Sequence, residues 1–390
     1  MSAHTDSFDH WIRTRFVDMN TELEALYFAQ ADRSNVEGIG DTIKAELCEQ
    51  GRALIAPILA EGRTTDGFVS AFELLGNVGL YLAALRRHEL TNPDRETESP
   101  HREASALALH AGAAAGMAPR FATAHLATHN VAINGVRKSF THLQDEFLFI
   151  DENARGILAF QSTADALRRI VLLGPSSPVA DILYAQARSS LESVIAANDR
   201  LFEQLDIDRF FYSVRPYYKP YRVGRHVFRG ANAGDFAGIN EIDLLLGVNR
   251  ANDPYYSQLI VEKMPFMMPS DQAQLRQTMT MPSLLDSYLA MMPDHADAPW
   301  FRRNVAAFLE LCDLFGRTAQ QHHDMLVQRF IARPAEQVNG AALAGITASG
   351  PPLESLLRSL ERLRDCRRAA KSAAFPTRHD DFQKLRAAMG

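Results

Sequence analysis

The sequence predicts an all-α protein. Three observations carry this: long amphipathic stretches recur along the 390 residues, no series of residues alternates with a period of two, and proline- or glycine-rich breaks divide the apolar stretches at 91–103, 174–178 and 208–234. The first helices are TELEALYFAQAD and GDTIKAELCEQGRALIAPILAEG, the second with Ile43, Leu47, Leu54, Ile55 and Ile58 close to one face. TDGFVSAFELLGNVGLYLAALRRHEL follows, with Thr65 and Asp66 as expected caps and basic residues suited to the negative end of the helix dipole. The polar TNPDRETESPHRE marks an expected boundary between a smaller N-terminal helical region, 1–95, and a larger helical domain, 96–390.

Beyond that boundary comes an alanine-rich stretch, 104–118, and then FATAHLATHNVAINGVRKSFTHLQDE, read as loop or short extended structure. DENARGILAFQSTADALRRIVLLG and PVADILYAQARSSLESVIAANDRLFEQL are strongly amphipathic helices. DRFFYSVRPYYKPYRVGRHVFRGANAG holds two prolines and three glycines, so it cannot be one uninterrupted helix. INEIDLLLGV reads as buried, and SLLDSYLAMMP and WFRRNVAAFLELCDLFGRTAQQHHDMLVQRFIARP complete the helical set.

Hydrophobic residues at 46% and charged residues at 23% suit a packed core. A net charge of −6 and the lack of a lysine-arginine stripe set nucleic acid aside as a partner. Cys48, Cys312 and Cys366 are too few and too far apart for a disulfide framework and fit a reducing cytoplasm. The N-terminus lacks an export pattern and no run of 18 apolar residues occurs, so the expectation is a cytoplasmic protein without a membrane partner.

The stretch with most chemistry is TAQQHHDMLVQRFIARP. Leu326, Val327 and Phe330 fall three, four and seven positions after His323, the spacing of one helical stripe. Counted from His322 the stripe would include Arg329, so His323 is the inward histidine. A buried imidazole needs both ring nitrogens satisfied, since an unpaired buried polar group costs roughly 1–3 kcal/mol. Two readings meet that need: a core histidine bonded to a carbonyl, or an axial ligand to haem iron, for which one histidine is enough.

Four stretches, taken in order, resemble the haem-dependent superfamily of tryptophan and indoleamine 2,3-dioxygenases, and most closely its monodechloroaminopyrrolnitrin synthase branch. HDMLVQRFIARPA is similar to the proximal-helix motif, which implies His323 as the iron ligand. RFFYSVRPYYKPYRVG resembles the Phe-Phe-x-x-x-Arg segment, implying that Phe210 and Phe211 wall the substrate pocket and that Arg215 grips a carboxylate with its planar fork. RGANAGDFAGINEIDLLLG resembles the small-residue distal loop. It implies haem contacts at Gly230, Ala231 and Asn232 and substrate contacts at Ala233 and Gly234, while Asn232, Asp235 and Phe236 replace the small and hydroxylated residues typical of indoleamine enzymes. GITASGPPLESLLRSLERLR resembles the Gly-Thr-Gly-Gly loop and final helix, with Ala348 and Ser349 standing where threonine and glycine are usual. It implies cofactor contacts at Ala348 and Gly350 and a substrate contact at Ser349. Weaker echoes are LGNVGLYLAALRRHEL and RKSFTHLQDE.

The resemblance implies a large haem-binding helical bundle, haem b held without a thioether link, and an oxygenase acting on an indole or other aromatic amino acid with O2 or H2O2. The absence of C-x-x-C-H agrees with non-covalent haem. The general acid or base and the oligomeric state, a homodimer among the arrangements, are left open. His125, His129 and His142 are the histidines considered for a distal role, and Arg222, Arg225 and Arg229 for haem propionates, each against the plainer reading of a surface or loop residue. The competing functions are a non-catalytic haem sensor or carrier of the same fold and a cofactor-free helical interaction protein.

Overall fold

The computed structural model describes residues 2–62, 66–231, 234–334 and 353–389. Among these, regular structure is helical apart from one antiparallel hairpin, β1 (Tyr221–Val223) with β2 (His226–Phe228), registered Tyr221 opposite Phe228. The all-α class therefore holds. The hairpin lies where prolines and glycines prevent a continuous helix.

The chain divides into two compact units: Met1–Asp151, Gln204–Asp235 and Arg329–Leu356 form unit 1, and Glu152–Glu203, Phe236–Gln328 and Leu357–Gly390 form unit 2. The polar segment expected as a boundary near residue 95 lies within unit 1. There the Arg222 guanidinium donates to the carbonyls of Pro93 at 3.0 Å and Thr97 at 3.3 Å, and the Ser99 amide donates to Gly224 at 2.8 Å.

Unit 1 begins with α1 (Ala3–Arg13), α2 (Arg15–Phe28), α3 (Asp41–Ala60), α4 (Phe68–Arg87), α5 (Arg102–Ala115) and the single turn α6 (Thr123–Leu126). Its centre is α4. This helix is long and apolar enough to cross a bilayer, yet 83% of its most apolar window is buried inside the protein, as in a core helix. Thr65 lies outside the described residues, and Gly67, not Asp66, occupies the N-cap, with no side-chain cap. The glycines of LGNVGLYL serve packing. A Cβ on Gly79 would stand 2.2 Å from the Phe121 amide nitrogen, and one on Gly76 2.6 Å from the His125 ring, so only glycine lets the 121–125 segment lie against the helix.

Segment 121–143 is irregular, as its composition predicts, and is held by buried ion pairs. Arg13 is paired with Asp9 at 2.7 Å and donates to the carbonyls of Val131 and Val136, closing the turn around the Ile133–Val136 bridge. Lys138 pairs with Asp9 at 3.0 Å and Glu73 at 2.5 Å. Burial opposes ionisation of Asp9, but Lys138 and Arg13 hold its carboxyl below the usual range.

α7 (Gln144–Leu173) carries the chain from unit 1 to unit 2, and α8 (Ala180–Gln204) follows the predicted break; the single turn α9 (Ile207–Arg209) returns to unit 1. Unit 2 continues with α10 (Ala237–Leu246), α11 (Pro254–Lys263), α12 (Pro269–Thr278), α13 (Leu284–His295), α14 (Pro299–Gln321), α15 (Leu353–Arg367, in this unit from residue 357) and α16 (His379–Ala387). Its core joins Leu167, Ile170, Leu183 and Leu191 of α7 and α8 to Val305, Phe308 and Phe315 of α14. Each such side chain contributes about 1.5–3 kcal/mol on burial. Gly247 ends α10 at φ 83°, where a Cβ would also meet the Ser283 hydroxyl at 2.6 Å. Asp243 of α10 accepts both arms of Arg367 of α15, at 2.8 and 2.7 Å, and the Tyr256 hydroxyl at 2.7 Å.

Candidate functional site

α14 does not end as an ordinary α-helix. From His322 to Ala332 it widens into a π-helix, with backbone bonds closing over five residues. Burial along this segment falls on His323, Val327, Phe330 and Ala332, while His322 is exposed and Leu326 half-buried. The inward histidine is His323, its side chain 6% exposed.

The chemistry of that ring follows from its partners. Nδ1 lies 2.8 Å from Asp324 Oδ1 and 3.4 Å from Arg364 Nη1. Burial opposes ionisation of Asp324, but hydrogen bonds from His323 and Gln320 and the charge of Arg364 hold its carboxyl below the usual range, so it is an acceptor. In the neutral ring the proton is therefore on Nδ1, and Nε2 carries the lone pair. Nε2 is buried and, among the described residues, meets no hydrogen-bond partner; the Glu361 carboxylate, at 3.9 Å, is beyond hydrogen-bonding range. A buried acceptor nitrogen with its partner nitrogen fixed by a carboxylate is the donor arrangement of a metal-ligating histidine. The residues present fit haem iron, which asks for one such nitrogen.

In unit 1 a second π-helix, Phe210–Val214, follows α9 and runs into a 3-10 turn, Arg215–Tyr218. Among the described residues these are the two π-helical segments, and each carries residues singled out from sequence. Phe210 and Phe211 are buried. Phe210 contacts the rings of Phe149 at 5.1 Å and Phe330 at 6.1 Å, between centroids. The Arg215 guanidinium lies 5.3 Å from the Phe211 ring centroid, and burial pulls it down to about 10. A buried cation beside aromatic rings can bind a carboxylate attached to an aromatic body.

The protein-family model described as Monodechloroaminopyrrolnitrin synthase PrnB matches residues 2–389. The chain belongs to this family. PrnB enzymes are haem-dependent oxygenases acting on a tryptophan-derived aromatic substrate, and the chain is accordingly an enzyme, an oxidoreductase. The resemblance read from four short stretches thus extends over residues 2–389, including the N-terminal helices that those stretches do not reach.

Of the remaining residues assigned from the PrnB resemblance, Gly230 and Ala231 are buried and Gly234 is half-buried. Asn232, Ala233, Ala348, Ser349 and Gly350 lie outside the described residues. Asp235, at the end of the small-residue loop, is buried between Arg120, at 2.6 Å, and Arg229, which makes a second ion pair with it. Arg222 bonds carbonyls, and Arg225 is 80% exposed beside Glu98.

The three histidines considered for a distal role have local partners. His125 is stacked on Phe72 at 3.9 Å; its Nε2 bonds the Phe72 carbonyl and its Nδ1 the Ala122 backbone. Burial, aided by Lys138, drops it to about 3, so it stays neutral. His129 and His142 are exposed, paired with Thr128 and Asp18 respectively.

Sequence reasoning missed three groups. Asp324 was visible as the residue after HH, but its role needed the geometry. Lys219, buried four residues after Arg215, falls to about 7 through burial and the charges of Arg86, Arg87 and Arg215. The buried pair Arg87–Glu24, separated by 63 residues, has no local signal in sequence.

Proposed function

We propose that this protein is a haem b oxygenase of an indole-bearing, carboxylate-bearing substrate, with His323 as the axial ligand and Arg215 as the carboxylate anchor. The observation that carries the reading is the buried His323 Nε2, held as a lone-pair donor by the Nδ1 bond to Asp324 and without a hydrogen-bond partner among the described residues. Haem held by His323 would supply the capacity to activate O2 or peroxide. The residues of the chain do the rest. Phe210 and Phe211 offer buried aromatic surface to the ring of the substrate, and Arg215, desolvated and fixed over Phe211, selects ligands with an anionic end.

Gly230, Ala231, Asn232, Ala233 and Gly234 are proposed as the small-residue wall that admits haem and substrate, and Ala348, Ser349 and Gly350 as the loop meeting the polar end of the substrate or the cofactor. Within this reading the protein works in the cytoplasm on small molecules. His125, held neutral between the Phe72 carbonyl and the Ala122 backbone, is not proposed as an acid or base.

The test is a UV-visible titration of the haem-loaded ferrous protein with L-tryptophan, L-tyrosine and their halogenated forms, followed by product analysis after adding O2 or H2O2. A spectral shift and an oxygenated or rearranged product with an indole ligand support the proposal. No shift with any of these ligands and no product with either oxidant would leave a non-catalytic haem protein.

A further inference from the structure

We infer that Arg87, anchored by Glu24, is a positioning residue that sets the geometry of the Arg215 segment. This rests on the reading that Arg215 binds the carboxylate of the substrate. The starting point is a broken hydrogen-bond ladder. In an α-helix the Tyr212 carbonyl would accept from the residue four positions on, but that residue is Pro216, which has no N–H. The Arg215 amide instead reaches five residues back, to the Phe210 carbonyl, and this wide turn is the step at which the chain passes from π-helix to 3-10 turn.

The Tyr212 carbonyl is taken by Arg87, whose Nη2 donates to it at 3.0 Å. The same guanidinium is held by Glu24, with Nε bonding Oε1 at 2.7 Å and Nη2 bonding Oε2 at 2.9 Å. It also lies 4.9 Å from the Tyr27 ring centroid. Glu24 is fully buried and the Arg87 side chain is 3% exposed. A planar fork locked on one side by a carboxylate presents its remaining donor in one direction, which a lysine cannot reproduce. Through this contact α2 and α4 together fix the carbonyl three residues before Arg215.

Arg87→Lys keeps the charge that Glu24 needs but loses the fork; Glu24→Gln with Arg87→Met removes the pair without stranding a buried charge. Two measurements are made on the haem-loaded protein. Hydrogen exchange of the peptide spanning 207–218 reads the backbone directly, and spectral titration compares L-tryptophan with tryptamine, which lacks the carboxylate. We expect faster exchange confined to that peptide in both variants. We also expect about tenfold weaker L-tryptophan binding, as for one lost charge-assisted hydrogen bond, with tryptamine binding changed less than about twofold. In an Arg215→Leu background, adding Arg87→Lys should change neither ligand.

Unchanged exchange in 207–218, equal losses for both ligands, or an Arg87 effect that persists without Arg215 overturns the inference. If Arg215→Leu alone fails to separate the two ligands, the carboxylate anchor itself falls, and with it the role of Arg87 in binding. That outcome is read independently of the exchange data.

Discussion

Asp324 accepts the Nδ1–H of His323 at 2.8 Å, and this one bond decides what the other nitrogen of the ring can do. It fixes the tautomer, leaves Nε2 as a lone-pair donor and adds electron density to the ring. Outer partners of ligating histidines typically alter metal affinity about 10–100-fold. Asp324→Ala should therefore keep a Soret band but weaken haem retention by about that factor. The check is haem transfer to an apo-acceptor; transfer at the wild-type rate would mean that Asp324 does not orient the ring.

Arg215→Leu tests the anchor. Ligands with a carboxylate should lose about 1.5–3 kcal/mol of binding, the value of a hydrogen bond to a charged group, while uncharged indoles are spared. Spectral titration with indole-3-propionate and indole reads the difference, and equal losses would retire the anchor.

Lys219 gives that binding a pH dependence. Burial, with Arg86, Arg87 and Arg215 repelling its charge, lowers it to about 7. Below that pH it adds a positive charge to the surroundings of Arg215; above it the charge is gone. Indole-3-propionate, ionised throughout, should bind more tightly as pH falls through about 7, and Lys219→Met should flatten the profile. A flat wild-type profile from pH 6 to 9 would contradict this.

His125 predicts how stability responds to acid. Its folded pKa of about 3 lies below its ordinary 6.5, so the unfolded chain binds the extra proton first. The stabilisation is fully present above about 6.5 and is lost as pH falls toward 3, on the order of 5 kcal/mol at 1.36 kcal/mol per unit. Burial lowers His88 in the same direction. Thermal melts between pH 7 and 4 should be less steep for His125→Asn than for the wild type, and identical slopes would refute the assignment.

The packing of α4 offers a test without ligands. Gly79→Ala places a methyl against the Phe121 backbone, and since that neighbour is main chain it cannot swing aside. Overpacking of this kind costs typically 1–3 kcal/mol. Chemical denaturation checks it, and an unchanged midpoint would show that the segment yields.

Helical periodicity made much of this legible from residues alone. The stripe through His323, Val327 and Phe330 identified the inward histidine, and the prolines at 216 and 220 marked where a helix could not continue. The π-helical widening was not readable, because residue patterns for a wide turn and an ordinary one differ by one position per turn. The Arg87–Glu24, Asp243–Arg367 and Arg120–Asp235 pairs were also hidden. Their partners are brought together by tertiary packing, and a charged residue in an apolar helix looks from sequence like a solvated end. The Arg86-Arg87 close of α4 shows this: its position suits the helix dipole, yet both residues are buried and ion-paired.

The account turns on the Nε2 atom of His323. The direct measurement is the absorption and resonance Raman spectrum of haem-loaded His323→Gly protein with and without added imidazole. Loss of the Soret band or of the iron–histidine stretch, restored by imidazole, is the predicted result. An iron–histidine stretch unchanged in the variant would place the ligand elsewhere and contradict the assignment.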